Sequence, residues 1–436
     1  MHEHSEHLSF IHTADVHFGV ENYGKIDPVT GIHSRLLDFY HAFQVCIDYA
    51  IDHRVDLFLF AGDAYKTAYP TPTQQRLLMH SLLKLFRAKI PVVMIVGNHD
   101  HALSFGKAHA LEIFGQMPLD GFHVISKPTV LSLTTRHGPV NIVGIPWPSR
   151  AHVALHGPHA LLSGSELTEA ISETVSATIA DFAHTLDPSI PAILAGHLTV
   201  SSGIFSGSEK RAIYGTDPIF LPSQLAIKPF DYVALGHLHR YQNLNPSEYP
   251  AIVYSGSIER IDFGEHKEEK GFCHVTIPEK GNAQHTFVQV PTRPFLQIHV
   301  SCKPHDDITA RIIEHLARHD LTDAVIKIIY SLPAGVSDQI DMGIIQSACR
   351  GAHYIAGIIP IRSSHEPMRR LSQESRVSSF TELLTSYLQG KTPCPQRTER
   401  LLKKITSIAA EEGISLNHLN AQLITSECSS DKPGTQ

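Results

Sequence analysis

Five short segments bring carboxylate, imidazole and amide side chains to the ends of apolar runs: Asp15-Val16-His17, Gly62-Asp63, Gly97-Asn98-His99-Asp100, Gly196-His197 and Gly236-His237-Leu238-His239. Oxygen and nitrogen donors without thiolate suit Mn²⁺, Fe²⁺ or Zn²⁺ with open coordination positions. Two such ions roughly 3.5–4 Å apart can stabilise both the entering and the leaving oxygen of an in-line displacement at phosphorus. A site of that kind needs one bridging carboxylate and separate ligands for each ion, which the five segments can furnish. On an extended segment, residues two apart face the same side, so Asp15 and His17 can reach one ion. The same spacing lets His237 and His239 project together, one toward each ion. Taken singly, each residue has a plainer reading: Asp63 as a turn residue, Asn98 as a cap, any histidine as one of 31. The chemistry rests on the ordered set.

The elements that must hold these residues follow from periodicity. Leu8–Ala14, Asp56–Ala61 and Ile90–Val96 are apolar runs too short for helices, and each ends at one of the segments. Ser34–His53 and Thr73–Arg87 read as amphipathic helices between them, the first with Leu37, Tyr40, Phe43, Ile47 and Ile51 on one side. Val130–Thr135 and Val140–Ile145 flank His137-Gly138-Pro139 as a hairpin, Glu166–Leu186 is helical, and strands follow at Ala192–Leu194, Tyr232–Leu235 and Ile252–Tyr254. Continuous apolar strands separated by helices imply sheets covered on both faces, with ligands at the carboxyl ends of the strands.

Beyond about residue 292 the motifs stop. Phe295–Cys302, Ile308–His319, Ala324–Tyr330, Asp338–Arg350 and Tyr354–Ile361 alternate strand and helix as a small α+β unit. After a polar linker, Phe380, Leu383, Leu384, Tyr387 and Leu388 mark one helix, and Leu401, Leu402, Ile405, Ile408 and Ala409 a second. Segment 369–404 carries eight Lys/Arg against three Glu, and residues 425–436 read as a disordered tail.

The chain has 436 residues, 42% hydrophobic and 18% charged, ordinary for a globular protein of more than one unit. No apolar run approaches the roughly 18 residues of a membrane span, and Met1–His7 lacks a signal pattern. Cys46, Cys273, Cys302, Cys349, Cys394 and Cys428 include no C-x-x-C pair, which points to reduced thiols in the cytoplasm. A net charge of −7 argues mildly against tight DNA binding by the chain alone, so any such surface is local or supplied by ions or a partner. Gly19–Lys25 approximates a P-loop, but Ile26 has no hydroxyl for Mg²⁺ and Asp27-Pro28 blocks the helix such a loop must open. Any ATP dependence belongs to another chain.

The ordered set resembles the calcineurin-like metallophosphoesterase superfamily. More narrowly, His12–Gly19, Ala61–Lys66 with Pro72-Thr73-Gln74-Gln75, Val96–Asp100 and Tyr254–Glu265 resemble the SbcD family of bacterial nuclease subunits. The resemblance covers about residues 1–290. It implies an α/β metallophosphoesterase β-sandwich flanked by helices (α-β-β-α) over 1–292, a capping domain that contacts DNA at 293–364, and a helix-loop-helix at 376–412 that binds the ATPase partner. It implies one ion on Asp15, His17, Asp63 and His239, and a second on Asp63, Asn98, His197 and His237. Mn²⁺ is the expected metal, with Fe²⁺ or Zn²⁺ as alternatives. His99 is then the catalytic histidine, with Asp100 orienting it or simply making the turn. No serine or cysteine nucleophile is required. Many relatives carry a second active-site histidine where this chain has Lys66. The implied activity is a DNA exonuclease and hairpin or single-strand endonuclease, working as a homodimer with an SbcC-type coiled-coil ATPase at the nucleoid, without a membrane. The alternative is a phosphodiesterase or phosphatase acting on nucleotides or phosphoproteins.

Overall fold

The computed structural model describes residues 7–101, 107–116, 120–148, 164–207, 217–332, 337–362, 400–405 and 407. Leu8–Thr13, Leu57–Phe60 and Val92–Ile95 are strands in which every residue is buried. They lie side by side and parallel. Phe122–Ile125 adds a further parallel strand at one edge. Gly271–Ile277 and Gln284–Gln289 add antiparallel strands at the other, making six in all. The second six-stranded sheet runs in the order Gln242–Asn243, Ala251–Tyr254, Tyr232–Gly236, Ala192–His197, Gly138–Ile145, Thr129–Thr135. Its four inner strands are parallel neighbours, and the expected hairpin closes one edge.

The sheets face each other across a core that includes Phe10, Leu57, Leu59, Val93, Ile142, Ile193, Tyr232 and Val253. Each fully buried side chain of this size contributes about 1.5–3 kcal/mol. The outer face of the first sheet packs on α1 (Ser34–Asp52) and α2 (Pro72–Arg87). That of the second packs on the helix Gly164–Thr185. This is the expected four-layer α-β-β-α arrangement.

One helix buries a wider face than its expected stripe. On α1 the expected Phe43 and Ile47 are wholly buried and Tyr40 and Ile51 pack against the core, joined by Leu36, Phe39, Ala42, Cys46 and Ala50, while Leu37 is half-buried. Arg35 lies on the widened flank. It is wholly buried, bonded to Asp38 at 2.8 Å and to the carbonyl of Arg260, with Glu259 at 3.8 Å.

Phe295–Val300, Val325–Leu332 and Tyr354–Arg362 form a separate sheet, all parallel, packed on the helices Ile308–Leu316 and Met342–Ala348. Asp307 and Asp341 cap those helices through their carboxylates. Residues 1–362 form one unit and 363–436 another. In the latter, 400–405 are helical. The helix expected around Phe380–Leu388, most of the basic segment and the tail at 425–436 lie outside the described residues. Among the described residues no helix is long and apolar enough to cross a membrane.

Candidate metal centre

Each of the five segments begins at the carboxyl end of a parallel strand, so one edge of the sandwich collects them all. Asp15, His17, Asp63 and Asn98 come from the first sheet; His197, His237 and His239 come from the second. The loops lock to one another through main chain: Asp15 N–H donates to Gly62 O at 2.9 Å and His17 N–H to Asp63 O at 3.0 Å. A Cβ at Gly97 would lie 2.2 Å from Asp63 Oδ1, and one at Gly236 would lie 2.1 Å from Ala61 O. Glycine is needed at those two positions for space.

The donors converge in two groups. His17 Nε2 lies 3.1 Å from His239 Nε2 and 3.9 Å from Asp15 Oδ1. Asn98 Oδ1 lies 2.9 Å from His197 Nε2 and 3.2 Å from His237 Nδ1. Asp63 stands between them, its Oδ2 3.7 Å from His17 Nε2 and 3.4 Å from His197 Nε2. Asp15, His17, Asp63 and His197 are almost wholly buried, and His237 and His239 nearly so.

Second contacts fix which nitrogen faces inward. His197 Nδ1–H donates to Ala61 O at 2.8 Å, and His239 Nδ1–H to Glu265 Oε1 at 2.8 Å. Both rings therefore turn Nε2 into the site, where it can carry a proton or bind a metal. Nitrogen donors converging beside two buried carboxylates need protons or cations between them. The residues fit divalent metal: Asp15, His17, Asp63 and His239 on one side, Asp63, Asn98, His197 and His237 on the other. Burial pushes Asp15 up to about 7 against the pull of His197 and His239. Asp63, equally buried, is held well below the usual carboxylate range by His197, His99 and His17. His197 rises to about 9, its burial outweighed by Asp63 and Asp15.

His99 is held differently. Its ring is 35% exposed, Nδ1 bonds Lys66 O at 2.8 Å, and Nε2 stands 4.0 Å from Asp63 Oδ2. That leaves Nε2 at the rim, able to exchange a proton with a group above the site. Asp100 does not orient the His99 ring. Its carboxylate accepts from the amides of Asp63 (2.8 Å), Ala64 (3.0 Å), Tyr65 (3.4 Å) and Gly97 (3.1 Å), joining two motif loops. Lys66 meets the site through its backbone carbonyl.

Sequence reasoning assigned no role to four residues now beside the site. Glu265 and Lys270 form a buried pair at 2.8 Å behind His239. Despite its burial, Glu265 is held well below its ordinary range by Lys270 and His239. Asp217 Oδ2 lies 3.7 Å from His237 Nε2. Trp147, the sole tryptophan, sits with its ring centroid 4.8 Å from that of His237. Glu265 is 26 positions from His239, so no spacing rule signals it. Trp147 follows the strand Gly138–Ile145 at the same edge, a placement the sequence pattern did contain.

The family described as calcineurin-like phosphoesterase matches residues 8–241. A curated relative, the SbcD subunit of the nuclease SbcCD from Staphylococcus epidermidis, is 28% identical over 306 residues, 69% of this chain and 74% of that protein. Among solved structures the chain is similar to a dimetal phosphatase from Danio rerio, 11% identical, with a TM-score of 0.38 over 64% of this chain and 98% of that one. It is also similar to a phosphopantetheinyl hydrolase from Mycobacterium tuberculosis, 14% identical, with a TM-score of 0.30 over 58% and 91%.

Proposed function

The chain belongs to the calcineurin-like phosphoesterases and is a metal-dependent hydrolase of phosphate esters, and from that premise we propose that it is a DNA nuclease subunit working with a coiled-coil ATPase. The observation that carries this reading is the similarity to an SbcCD nuclease subunit along 69% of the chain. On this reading it degrades double-stranded ends, opens hairpins and cuts single strands during break repair and recombination, in the cytoplasm at the nucleoid.

Asp15, His17, Asp63 and His239 would hold one ion, and Asp63, Asn98, His197 and His237 the other, with Mn²⁺ the preferred metal. Bound there, the ions supply positive charge to the oxygens of a phosphodiester. The protein's own contribution is positional. Main-chain locks and fixed tautomers keep the donors in place before substrate arrives. His99 Nε2 is the group that would protonate the leaving oxygen or hydrogen-bond the phosphoryl group. In the same reading, 293–364 is the capping domain on DNA, 376–412 receives the ATPase, and two copies assemble as a homodimer.

The test uses Mn²⁺-loaded protein on linear duplex, hairpin DNA and a cyclic nucleotide. Cleavage of the two DNAs is expected, and His99→Ala should lower it by about 10²–10⁴-fold while both ions remain bound. Turnover of the cyclic nucleotide with intact DNA would instead favour a nucleotide phosphodiesterase.

A further inference from the structure

His17, His99, His197 and His239 all turn Nε2 toward the metal centre, but they are not supported alike. His197 and His99 give Nδ1–H to backbone carbonyls, those of Ala61 and Lys66. His239 gives it to a carboxylate, Glu265 Oε1, at 2.8 Å. That carboxylate is wholly buried, and its other oxygen accepts from Ile261 N–H at 2.9 Å and from Lys270 Nζ at 2.8 Å. Lys270, also buried, donates as well to His239 O and to Ser257 Oγ, both at 2.9 Å, and to Glu268 Oε2 at 3.0 Å. A single ammonium thus grips the backbone of His239 and the acceptor of its side chain.

Such a pair is a poor way to gain stability. Removing two charges from water costs several kcal/mol each, and an apolar pair of the same volume often serves the fold as well. What the pair does supply is a fixed negative charge against one ligand. A carboxylate on Nδ1–H makes Nε2 a stronger donor, and losing such a partner typically lowers metal affinity by about 10–100-fold.

The acceptor is also connected to something distant. Glu265 ends the short turn Phe263–Glu265, which Asp262 caps by accepting from Gly264 N–H at 2.7 Å. Phe263 points away from the metal centre into an aromatic cluster, 5.0 Å from Phe295 and 5.4 Å from Tyr23 by ring centroids. Lys327 Nζ lies 5.4 Å from the same ring. Phe295 and Lys327 belong to the separate three-stranded sheet, and Val325 of that sheet shares the cluster. Along the chain, the ring seated on that sheet and the carboxylate seated on His239 are separated by Gly264 alone.

We propose that Glu265 is a positioning residue that sets the strength of His239 as a metal ligand, and that the Phe263–Glu265 turn ties this ligand to the seating of the three-stranded sheet. A shift of that sheet pulls on Phe263 and reaches one ion before the other, since the opposite ligand group is held by Ala61 and Asn98. The proposal rests on the two-ion reading of the site.

The experiment titrates the metal-free full-length chain with MnCl₂ by calorimetry. Wild type should bind two ions; fewer than two would defeat the two-ion reading itself. Glu265→Gln keeps an acceptor but no charge, and should weaken one ion by about 10–100-fold, leaving the other within about twofold. Glu265→Leu should weaken the same ion further. If orphaning Lys270 unfolds that variant, Glu265→Leu with Lys270→Leu restores an apolar pair and carries the same readout. Phe263→Ala should weaken that same ion severalfold. Wild-type isotherms for Glu265→Gln, or equal weakening of both ions, would overturn the positioning role. An unchanged isotherm for Phe263→Ala would overturn the tie to the sheet.

Discussion

Asp15, His17, Asp63 and His237 all hold left-handed backbone, with φ of 53°, 48°, 60° and 103°. Sequence reasoning had Asp15 and His17 share a face because an extended segment alternates; they share it because both leave the extended region. Strain of this kind, about 1–3 kcal/mol per residue, persists only where surroundings over-determine the loop. Asp100 supplies much of that determination. Replacing it with Asn sets an amide N–H₂ against backbone donors, so Asp100→Asn should cost on the order of 2–3 kcal/mol, read as a lower denaturant midpoint, and should weaken Mn²⁺ binding. His12 has a different task. It crosses from one sheet to the other, bonding Tyr232 Oη at 3.1 Å and Leu235 O at 3.2 Å. Burial pushes its imidazole down to about 3 from 6.5. The folded chain keeps it neutral while the unfolded chain protonates it, so its contribution is present above about pH 6.5 and is lost as pH falls toward 3. His12→Gln should flatten the acid limb of stability by up to about 1.4 kcal/mol per pH unit, measured as denaturant midpoints at about pH 4 and pH 7.

Element by element, the sequence was most legible where one rule sufficed. Leu57–Phe60 and Val92–Ile95 are uninterrupted apolar runs because both sheet faces are covered. Gln284–Gln289 is an edge strand of mostly polar residues, and Phe122–Ile125 is broken by His123, so neither shows a usable period. Gly271–Ile277 is buried but opens on glycine and carries His274 and Thr276, which hides it as well. The core face of α1 was legible at Phe43 and Ile47, but not the burial of Arg35 on its flank, which depends on Asp38, Glu259 and Arg260. The candidate donors of the metal centre were legible because their chemistry narrows the residue types. Their supports were not, because Glu265 and Asp100 act through contacts that only the fold creates. At α2 the quoted Pro72-Thr73-Gln74-Gln75 is a helix start. Thr71 N–H donates to Gln74 Oε1 at 2.9 Å, and Thr71 Oγ1 accepts from Gln74 N–H at 3.4 Å. Thr71→Ala should cost about 1 kcal/mol in chemical denaturation while leaving Mn²⁺ affinity unchanged.

For the whole molecule, the division of donors between sheets matters more than their number. Each proposed ion takes ligands from both halves of the sandwich, with His239 and the His197–His237 pair crossing to meet Asp15, His17, Asp63 and Asn98. Mn²⁺ at a hundredfold excess over Kd should add about 2.7 kcal/mol per ion, seen as a higher Tm that chelation reverses. A rise absent from differential scanning calorimetry would contradict the ligand assignment. With one sheet supplying four donors and the other three, bound cations would act as rivets through two plates otherwise joined by grease and a few hydrogen bonds. Stripping them should loosen this rim first and leave the far rim closed, so proteolysis of chelated protein ought to begin at the loops after Thr13, Phe60 and Ile95.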